Sequence, residues 1–304
     1  MTRIIDAHVH TFLFREHWSE WAADGYAKAG PVIHWATGKL IRAEDFHCPY
    51  DFVIDHMDES GVDECLLLGN YQKPHDIIVP LEYLIEAKDA YPDRFHVFWA
   101  VDPNQPDDVC EKLEWVVREK GFTGVKILPT YNYIDPLDSR CRRIYSKASE
   151  LRVPIVIHSG YGGYGRNNLS KWQEPNHMEP ILVENPDINI SFGHSGLHRI
   201  ADFLALTVRH PNLYGDLAYW HWYPMDFLAR WLVFAKAVGG FDRLMWGTDF
   251  HHVSMKLDLE RMRKLPEYTY KHELEHNITE EDLDKLLGGT AMRFLKLEEK
   301  YLVA

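Results

Sequence analysis

Short apolar runs alternate with amphipathic segments along almost the whole chain. The runs are rich in branched and aromatic side chains and are bounded by polar residues, which is typical of β-strands. Eight runs of this kind can be recognised, at residues 4–10, 64–68, 95–100, 124–128, 154–158, 188–194, 212–217 and 243–249. Between them, apolar residues recur at spacings of three and four, which predicts helices with one buried face at residues 81–85, 109–117, 144–151 and 200–208.

The alternation of strands and helices predicts an α/β fold in which parallel strands are joined by right-handed crossovers. Eight such units close most naturally into a TIM-like (β/α)8 barrel, whose active site lies at the carboxyl ends of the strands. An open doubly wound sheet is the alternative, but it would carry residues of the first and last strands to different places. We therefore predict a single barrel domain over residues 1–304, with a long aromatic-rich first βα loop at residues 11–49 and a C-terminal helical extension that begins near Thr279.

Composition and charge narrow the class of partner. The 304 residues are 46% hydrophobic, and 33 Lys and Arg stand against 46 Asp and Glu, for a formal net charge of −13. Such acidity disfavours nucleic acid and anionic membranes, because both bind basic surfaces. The chain enters its first strand without an apolar leader, and no apolar stretch approaches the roughly 18 residues of a membrane span. We expect a cytoplasmic protein that acts on a small molecule, with its four widely spaced cysteines as free thiols.

Residues that bind metals stand at the carboxyl ends of several predicted strands. His8 and His10 lie two positions apart on the first strand, so their side chains point the same way. His158 and Asp249 end two later strands. Imidazole and carboxylate donors without a thiolate are typical of catalytic metal sites, which keep a position open for water. The alternatives are a chance histidine pair in a chain with 18 His, a core histidine at 158 and a capping aspartate at 249.

Three residues have more than one possible role beside such a metal. Asp249 could be both a ligand and the base that takes a proton from water, whose pKa a zinc ion lowers to about 7. His194 is interpreted as a general base or an electrophile, and a fourth metal imidazole is the alternative. Lys126 could be carbamylated and bridge two metals, or it could be an ordinary lysine that pairs with a substrate carboxylate or with Asp249. We favour the ordinary lysine and a single metal.

Aromatic and basic residues near the predicted mouth indicate what the substrate could be. Tyr161 and Tyr164 follow the fifth strand and Trp220 follows the seventh, which favours a flat or cyclic organic substrate. Arg166 and Arg42 lie in long loops and are candidate clamps for a carboxylate. The alternatives are helix-entry core residues for the aromatic side chains and exposed surface positions for the arginines.

Together these motifs resemble the amidohydrolase superfamily, in the branch of aminocarboxymuconate-semialdehyde decarboxylase and related hydrolases. The resemblance extends over nearly the whole chain and rests on residues 6–10 (DAHVH), 121–126 (GFTGVK), 156–160 (VIHSG), 193–196 (GHSG), 247–249 (GTD) and 286–295 (LLGGTAMRFL).

This resemblance implies that His8, His10, His158 and Asp249 hold one divalent ion, with His194 as the catalytic histidine. Zn²⁺ is expected, with Mn²⁺ as the alternative and no second metal. The likeness is also compatible with a homodimer. Two positions depart from the pattern: Leu128 stands where many relatives have His, and Thr290 where Asn is common. The first departure weakens any transfer of substrate contacts from those relatives.

Two reactions are compatible with such a site. A metal-activated water could attack a lactone, ester or amide carbonyl of a small cyclic or carboxylated substrate. Alternatively, the metal could orient an aromatic or unsaturated carboxylic acid that loses CO₂ without oxidation. We favour hydrolysis, because little beyond the two arginines marks a carboxylate-binding site. A third hypothesis is a metal-binding protein with a degenerate site. It predicts that one of the core ligands is missing, but all of them are present in this sequence.

Overall fold

Ten β-strands are found in the computed structural model, which describes residues 3–29, 40–105, 108–160 and 169–297. Each of the eight predicted runs overlaps one of the eight parallel strands, so these predictions are confirmed. The other two strands, β3 and β4, form a small antiparallel hairpin. In chain order the strands are β1 (Ile5–Val9), β2 (Glu64–Leu68), β3 (Tyr71–Gln72), β4 (Ile77–Ile78), β5 (Phe95–Val101), β6 (Gly124–Ile127), β7 (Ile155–His158), β8 (Ile190–Gly193), β9 (Leu213–Asp216) and β10 (Leu244–Met245).

The helices of the described residues lie between and after these strands. Local sequence explains several of their ends: Asp138 caps α5 by accepting from the Arg140 N–H, and Gly61 ends α2 in the left-handed conformation. The predicted helix start at Thr279 is a capping box with Asp282. The helices are α1 (Glu20–Ala29), α2 (Tyr50–Ser60), α3 (Leu81–Ala90), α4 (Val109–Lys120), α5 (Ser139–Leu151), α6 (Pro175–Glu184), α7 (Ile200–Arg209), α8 (Met225–Ala237), α9 (Met255–Met262), α10 (Leu265–Lys271), α11 (Glu280–Asp284) and α12 (Thr290–Phe294).

The eight parallel strands form a barrel in the order β1-β2-β5-β6-β7-β8-β9-β10. Hydrogen bonds between β1 and the segment after β10 close the ring: Ala7 N donates to Trp246 O at 2.9 Å, and His10 N donates to Phe250 O at 3.0 Å. The TIM-like barrel is therefore confirmed, and the open sheet is excluded. The predicted first βα loop, at residues 11–49, contains the helix α1.

A bulge in β1 decides where its two histidines point. Asp6 lies opposite Cys65 and Val9 lies opposite Leu67, so three steps along β1 match two steps along β2. Before the bulge, Ala7 packs with the cluster inside the barrel, whereas Val9 beyond it packs in the outer layer between strands and helices. Bulges re-aim side chains in this way beside active sites. The bulge lets His8 and His10 face the interior directly above the apolar residues of the same strand.

Apolar side chains form two layers, one inside the barrel and one between the strands and the helices. The inner cluster fills the barrel with side chains such as Leu66, Phe98 and Met245, and Phe294 of α12 seals it at the end opposite the strand tips. The outer cluster packs the helices on the strands. Within the described part of the chain, no helix is both long and apolar enough to cross a membrane. All four cysteines are free thiols, as predicted.

Asp6 fixes the last strand segment against the first. Its buried carboxylate accepts from His8 N at 3.1 Å, from Thr248 N at 3.0 Å and from the Thr248 hydroxyl at 2.6 Å. Burial raises the pKa of Asp6 to about 7, against the lowering effect of the Thr248 hydroxyl. The residue immediately before Asp249 is thus tied to the strand that carries His8 and His10.

Substitutions of two adjacent glycines test how closely the C-terminal extension packs against the start of the first strand. A Cβ at Gly288 would lie 1.7 Å from Arg3 O, whereas a Cβ at Gly289 would meet nothing closer than Asp284 O at 3.7 Å. We expect Gly288→Ala to lower the free energy of unfolding by about 1–3 kcal/mol or more through overpacking. Gly289→Ala, the matched control, should raise it by up to about 1 kcal/mol. Urea denaturation measures both, and equal midpoints for the two variants would contradict the close contact.

Candidate metal centre

Three of the predicted ligands meet at the carboxyl end of the barrel. The ligand atoms of His8, His10 and Asp249 all lie within 4.8 Å of one another, and all three residues are buried. Asp249 Oδ1 is 3.3 Å from His10 Nε2 and 3.8 Å from His8 Nε2. Two histidines of the first strand and an aspartate that follows the last strand therefore share one small volume.

His158 and His194 complete a ring of imidazoles around the same pocket. The centroid of the His194 ring is 4.7 Å from that of His8, with the rings stacked, and 4.9 Å from that of His158. His158 Nε2 is buried and has no hydrogen-bond partner. A buried polar atom without a partner is costly, so a ligand for this nitrogen is expected.

The surroundings of His10 point to a cation between His10 and Asp249. Its Nδ1 is 2.8 Å from the carbonyl oxygen of Leu68, which can only accept, so Nδ1 carries a proton. Its Nε2 faces another acceptor, the Asp249 carboxylate. A neutral imidazole has one N–H, so Nε2 and Oδ1 are two electron-pair donors that face each other. A proton or a metal ion between them satisfies both, and the neighbouring imidazoles make this donor set fit a divalent metal.

Burial sets the charge of the site residues. It lowers the pKa values of His8 and His158 well below their usual value, and it lowers the pKa of His194 to about 4. Burial also works to raise the pKa of Asp249, but the adjoining imidazoles of His10, His252 and His8 favour its ionised form and hold the pKa well below its usual value. Neutral imidazoles and an ionised carboxylate are the protonation states that metal binding requires.

Lys126 brings a cation to the same pocket. It is fully buried on β6, and its Nζ is 3.5 Å from His8 Nε2. Burial lowers the pKa of Lys126 to about 8, while the charges of Asp216 and Asp249 act to raise it. At neutral pH this side chain is therefore mainly an ammonium group, placed where it can meet an anionic substrate group.

His194 stands on a strained segment that its neighbours hold in place. His194, Ser195, Gly196 and Leu197 all have positive φ, at 61°, 50°, 70° and 39°. The Ser195 hydroxyl donates to Asp216 O at 2.8 Å, and Gly196 N donates to the Ser159 hydroxyl at 3.0 Å. Strain of this kind persists where the surroundings over-determine the backbone, and it clusters at functional sites.

Two of the predicted substrate contacts, Trp220 and Arg42, are not brought to the pocket. Trp220 is buried outside its lining, and its indole N–H donates to His194 O at 3.1 Å, so this side chain supports the His194 backbone. Arg42 is exposed, forms an ion pair with Glu44 at 2.9 Å and lines a separate surface pocket. The three other candidates, Tyr161, Tyr164 and Arg166, lie outside the described residues.

Several residues of the pocket were missed by sequence reasoning. The cavity, of about 50 Å³, has room for an ion and a few waters, and its wall includes Lys126 and Leu128 beside the predicted ligands. Asp216 lies behind it, with Oδ2 3.0 Å from His8 Nδ1. Asp216 ends β9, so its strand-end position was a signal for it, and the aromatic content of the first loop was a signal for Phe12 and Trp18. No local signal marks His252. The missed lining residues are Phe12, Trp18, Asn70, Gln72, Tyr131 and His252.

Solved structures with the same fold include enzymes of two kinds. An uncharacterized TIM-barrel protein from Bordetella bronchiseptica is 18% identical, with 97% of this chain and 98% of that chain covered at a TM-score of 0.72. A dihydroxybenzoic acid decarboxylase from Polaromonas sp. JS666, solved with manganese and the inhibitor 2-nitroresorcinol, is 17% identical, with 98% of each chain covered and a TM-score of 0.68. A probable 2-pyrone-4,6-dicarboxylic acid hydrolase from Acinetobacter baumannii is 14% identical, with 97% and 100% covered and a TM-score of 0.62.

At such identities these structures establish the shared fold and leave the reaction open. The family follows from the sequence itself. The profile of the amidohydrolase family matches residues 5–297, which is nearly the whole chain. The sequence-based prediction of this superfamily is thereby confirmed, and the chain is a member of the amidohydrolase family.

Proposed function

We propose that the chain is a single-metal hydrolase that acts on a lactone, ester or amide of a small cyclic or carboxylated molecule. His8, His10, His158 and Asp249 would hold the ion. The observation that carries the proposal is the pair of facing electron-pair donors, His10 Nε2 and Asp249 Oδ1 at 3.3 Å, beside the unpartnered Nε2 of His158.

Three imidazoles and one carboxylate suit Zn²⁺, and they also accept Mn²⁺, the ion found in the Polaromonas decarboxylase. A bound divalent ion supplies Lewis-acid polarisation of the substrate carbonyl and makes water easier to deprotonate. The protein contributes the fixed geometry of the donors and their protonation states.

The proton transfers would fall to His194 and Asp249. His194 Nδ1 is 3.1 Å from the carbonyl oxygen of Ala218, which keeps the proton on Nδ1 and leaves Nε2 free to accept one. The pKa of His194, lowered to about 4 by burial, keeps it unprotonated at neutral pH. Asp249 is ionised at the same pH because its pKa is held well below the usual value. Two bases in one pocket favour deprotonation of an attacking water.

Substrate recognition would combine one cation with apolar walls. Lys126 can pair with a substrate carboxylate or with the oxygen that becomes negative during attack on the carbonyl. Phe12, Trp18 and Tyr131 line the pocket and offer rings for a flat substrate. Tyr161, Tyr164 and Arg166 remain proposed contacts at the mouth.

Non-oxidative decarboxylation is the second candidate, and Lys126 is the observation that favours it. Loss of CO₂ breaks a C–C bond and requires a proton for the carbon. The pKa of Lys126, lowered to about 8 by burial, leaves an acid in the pocket at neutral pH. The likeness to a decarboxylase fold is compatible with this reaction.

A substrate panel separates the two reactions. The purified protein, loaded with Zn²⁺ or Mn²⁺, is incubated with lactones including 2-pyrone-4,6-dicarboxylate, with aryl esters and amides, and with dihydroxybenzoic acids. We expect a carbonyl substrate to release acid, which a pH-stat measures, and we expect the aromatic acids to release no CO₂. If the protein releases CO₂ and no acid, its reaction is decarboxylation and the proposal of hydrolysis is wrong.

Metal content tests the ligand assignment. The wild-type chain should bind about one divalent ion, and His158→Ala should weaken its binding by at least about 100-fold, because one of four donors is lost. Elemental analysis after dialysis against buffered metal measures both. His210→Ala is the control, since His210 pairs with Glu179 and not with the site. Full metal content in His158→Ala would remove this residue from the ligand set.

His194→Asn distinguishes a base from a ligand. We expect kcat on the best panel substrate to fall by about 10²–10⁴-fold, because a positioned base is lost, while metal content stays at the wild-type level. Steady-state kinetics and elemental analysis on the same preparation give the two values. Loss of the metal together with activity would instead make His194 a fourth imidazole ligand.

A further inference from the structure

Asp216, at the end of β9, divides its two carboxylate oxygens between two site histidines. Oδ2 lies 3.0 Å from His8 Nδ1. Oδ1 accepts from the backbone N–H of His194 at 3.0 Å and from that of Ala218 at 3.1 Å. Asp216 and His8 are each 1% exposed, so water does not compete for these contacts.

We propose that Asp216 is a positioning residue that fixes the tautomer of His8 and, through the backbone, the place of His194. With its proton on Nδ1 and donated to Oδ2, the His8 ring presents the lone pair of Nε2 to the proposed ion. This inference rests on the proposed function, because it gives Nε2 of His8 its role as a ligand.

The same contacts argue against Asp216 as a ligand of its own metal. Its oxygens, with the nitrogens of His8 and His194, form a second group close enough to hold an ion. Both oxygens already face N–H donors, however, and His194 Nδ1 faces the Ala218 carbonyl oxygen. An ion bound through Oδ1 would compete with two backbone N–H groups, and one bound through Oδ2 would compete with His8 Nδ1, so either position would weaken hydrogen bonds of buried groups.

Replacement by asparagine has a specific consequence here. The amide of Asp216→Asn has one acceptor oxygen, and two backbone N–H donors compete with one imidazole for it. The oxygen therefore stays with His194 N and Ala218 N, and the amide NH₂ turns toward His8 Nδ1. That nitrogen must then accept, so the His8 proton moves to Nε2, which is the atom needed for the metal.

Two measurements test the inference on the chain of residues 1–304. Long-range ¹H–¹⁵N spectra of histidine-labelled, EDTA-treated protein report the tautomer, and His8→Gln identifies the His8 signals. Competition with a chelator gives the affinity for Zn²⁺ and Mn²⁺ alone. We expect Nδ1–H in the wild type, Nε2–H in Asp216→Asn, and binding of either metal weakened by about 10- to 100-fold in the variant.

Asp258→Asn is the matched control. Asp258 is also a buried aspartate, and its Oδ2 accepts from Trp246 Nε1 at 2.8 Å rather than from a site histidine. This variant should keep the wild-type metal affinity and the wild-type His8 signals. An equal loss of affinity in both variants would show a general effect of buried amides and would overturn the assignment.

The remaining outcomes are also decisive. Wild-type affinity and an unchanged tautomer in Asp216→Asn would overturn the inference. If that variant does not fold, the wild-type spectrum alone decides, because Nε2–H on His8 contradicts a donated Nδ1 proton. A wild-type protein that binds neither metal would instead reject the proposed function, while the His8 tautomer would still test the contact with Asp216.

Discussion

The hydrogen bond from Asp249 N to His8 O, at 2.9 Å, joins the two ends of the barrel at the point where the site is built. His8 and His10 come from the first strand and Asp249 follows the last, so this contact and its neighbours bring the cluster together. Asp6 strengthens the junction, since its carboxylate holds both the hydroxyl and the N–H of Thr248. Without closure, the donors would lie at opposite edges of a sheet.

Much of the site follows from one rule about parallel strands. Carboxyl ends of parallel strands meet on one face, so His158, His194 and Asp249 could be placed beside His8 from sequence position alone. The bulge in β1 could not be foreseen, because simple alternation would give Ala7 and Val9 the same face. The contact between Asp216 and His8 joins residues 208 positions apart, and no local pattern marks it.

The aromatic and basic residues of the loops show where such reasoning fails. Trp220 follows a strand, as substrate contacts often do, but its indole N–H donates a hydrogen bond to the carbonyl oxygen of His194. Arg42 sits in the long first connection, and the path of that connection gives it Glu44 as a partner on the surface. The position of a loop residue depends on the path of its loop, which composition does not predict. The position of a strand-end residue follows from the geometry of the barrel.

The sealing of the barrel by its last elements has a consequence for biosynthesis. The ribosome delivers His8 long before Asp249, and α12 packs against the inner cluster that includes Ile5. A nascent chain therefore carries three of the four proposed donors, and lacks Asp249, until the final strand has emerged. Zinc fingers fold around their ion, whereas the two core layers of this barrel consist of apolar side chains and include none of the proposed donors. The proposed four-donor site is complete only once residue 249 has been synthesised and the barrel has closed.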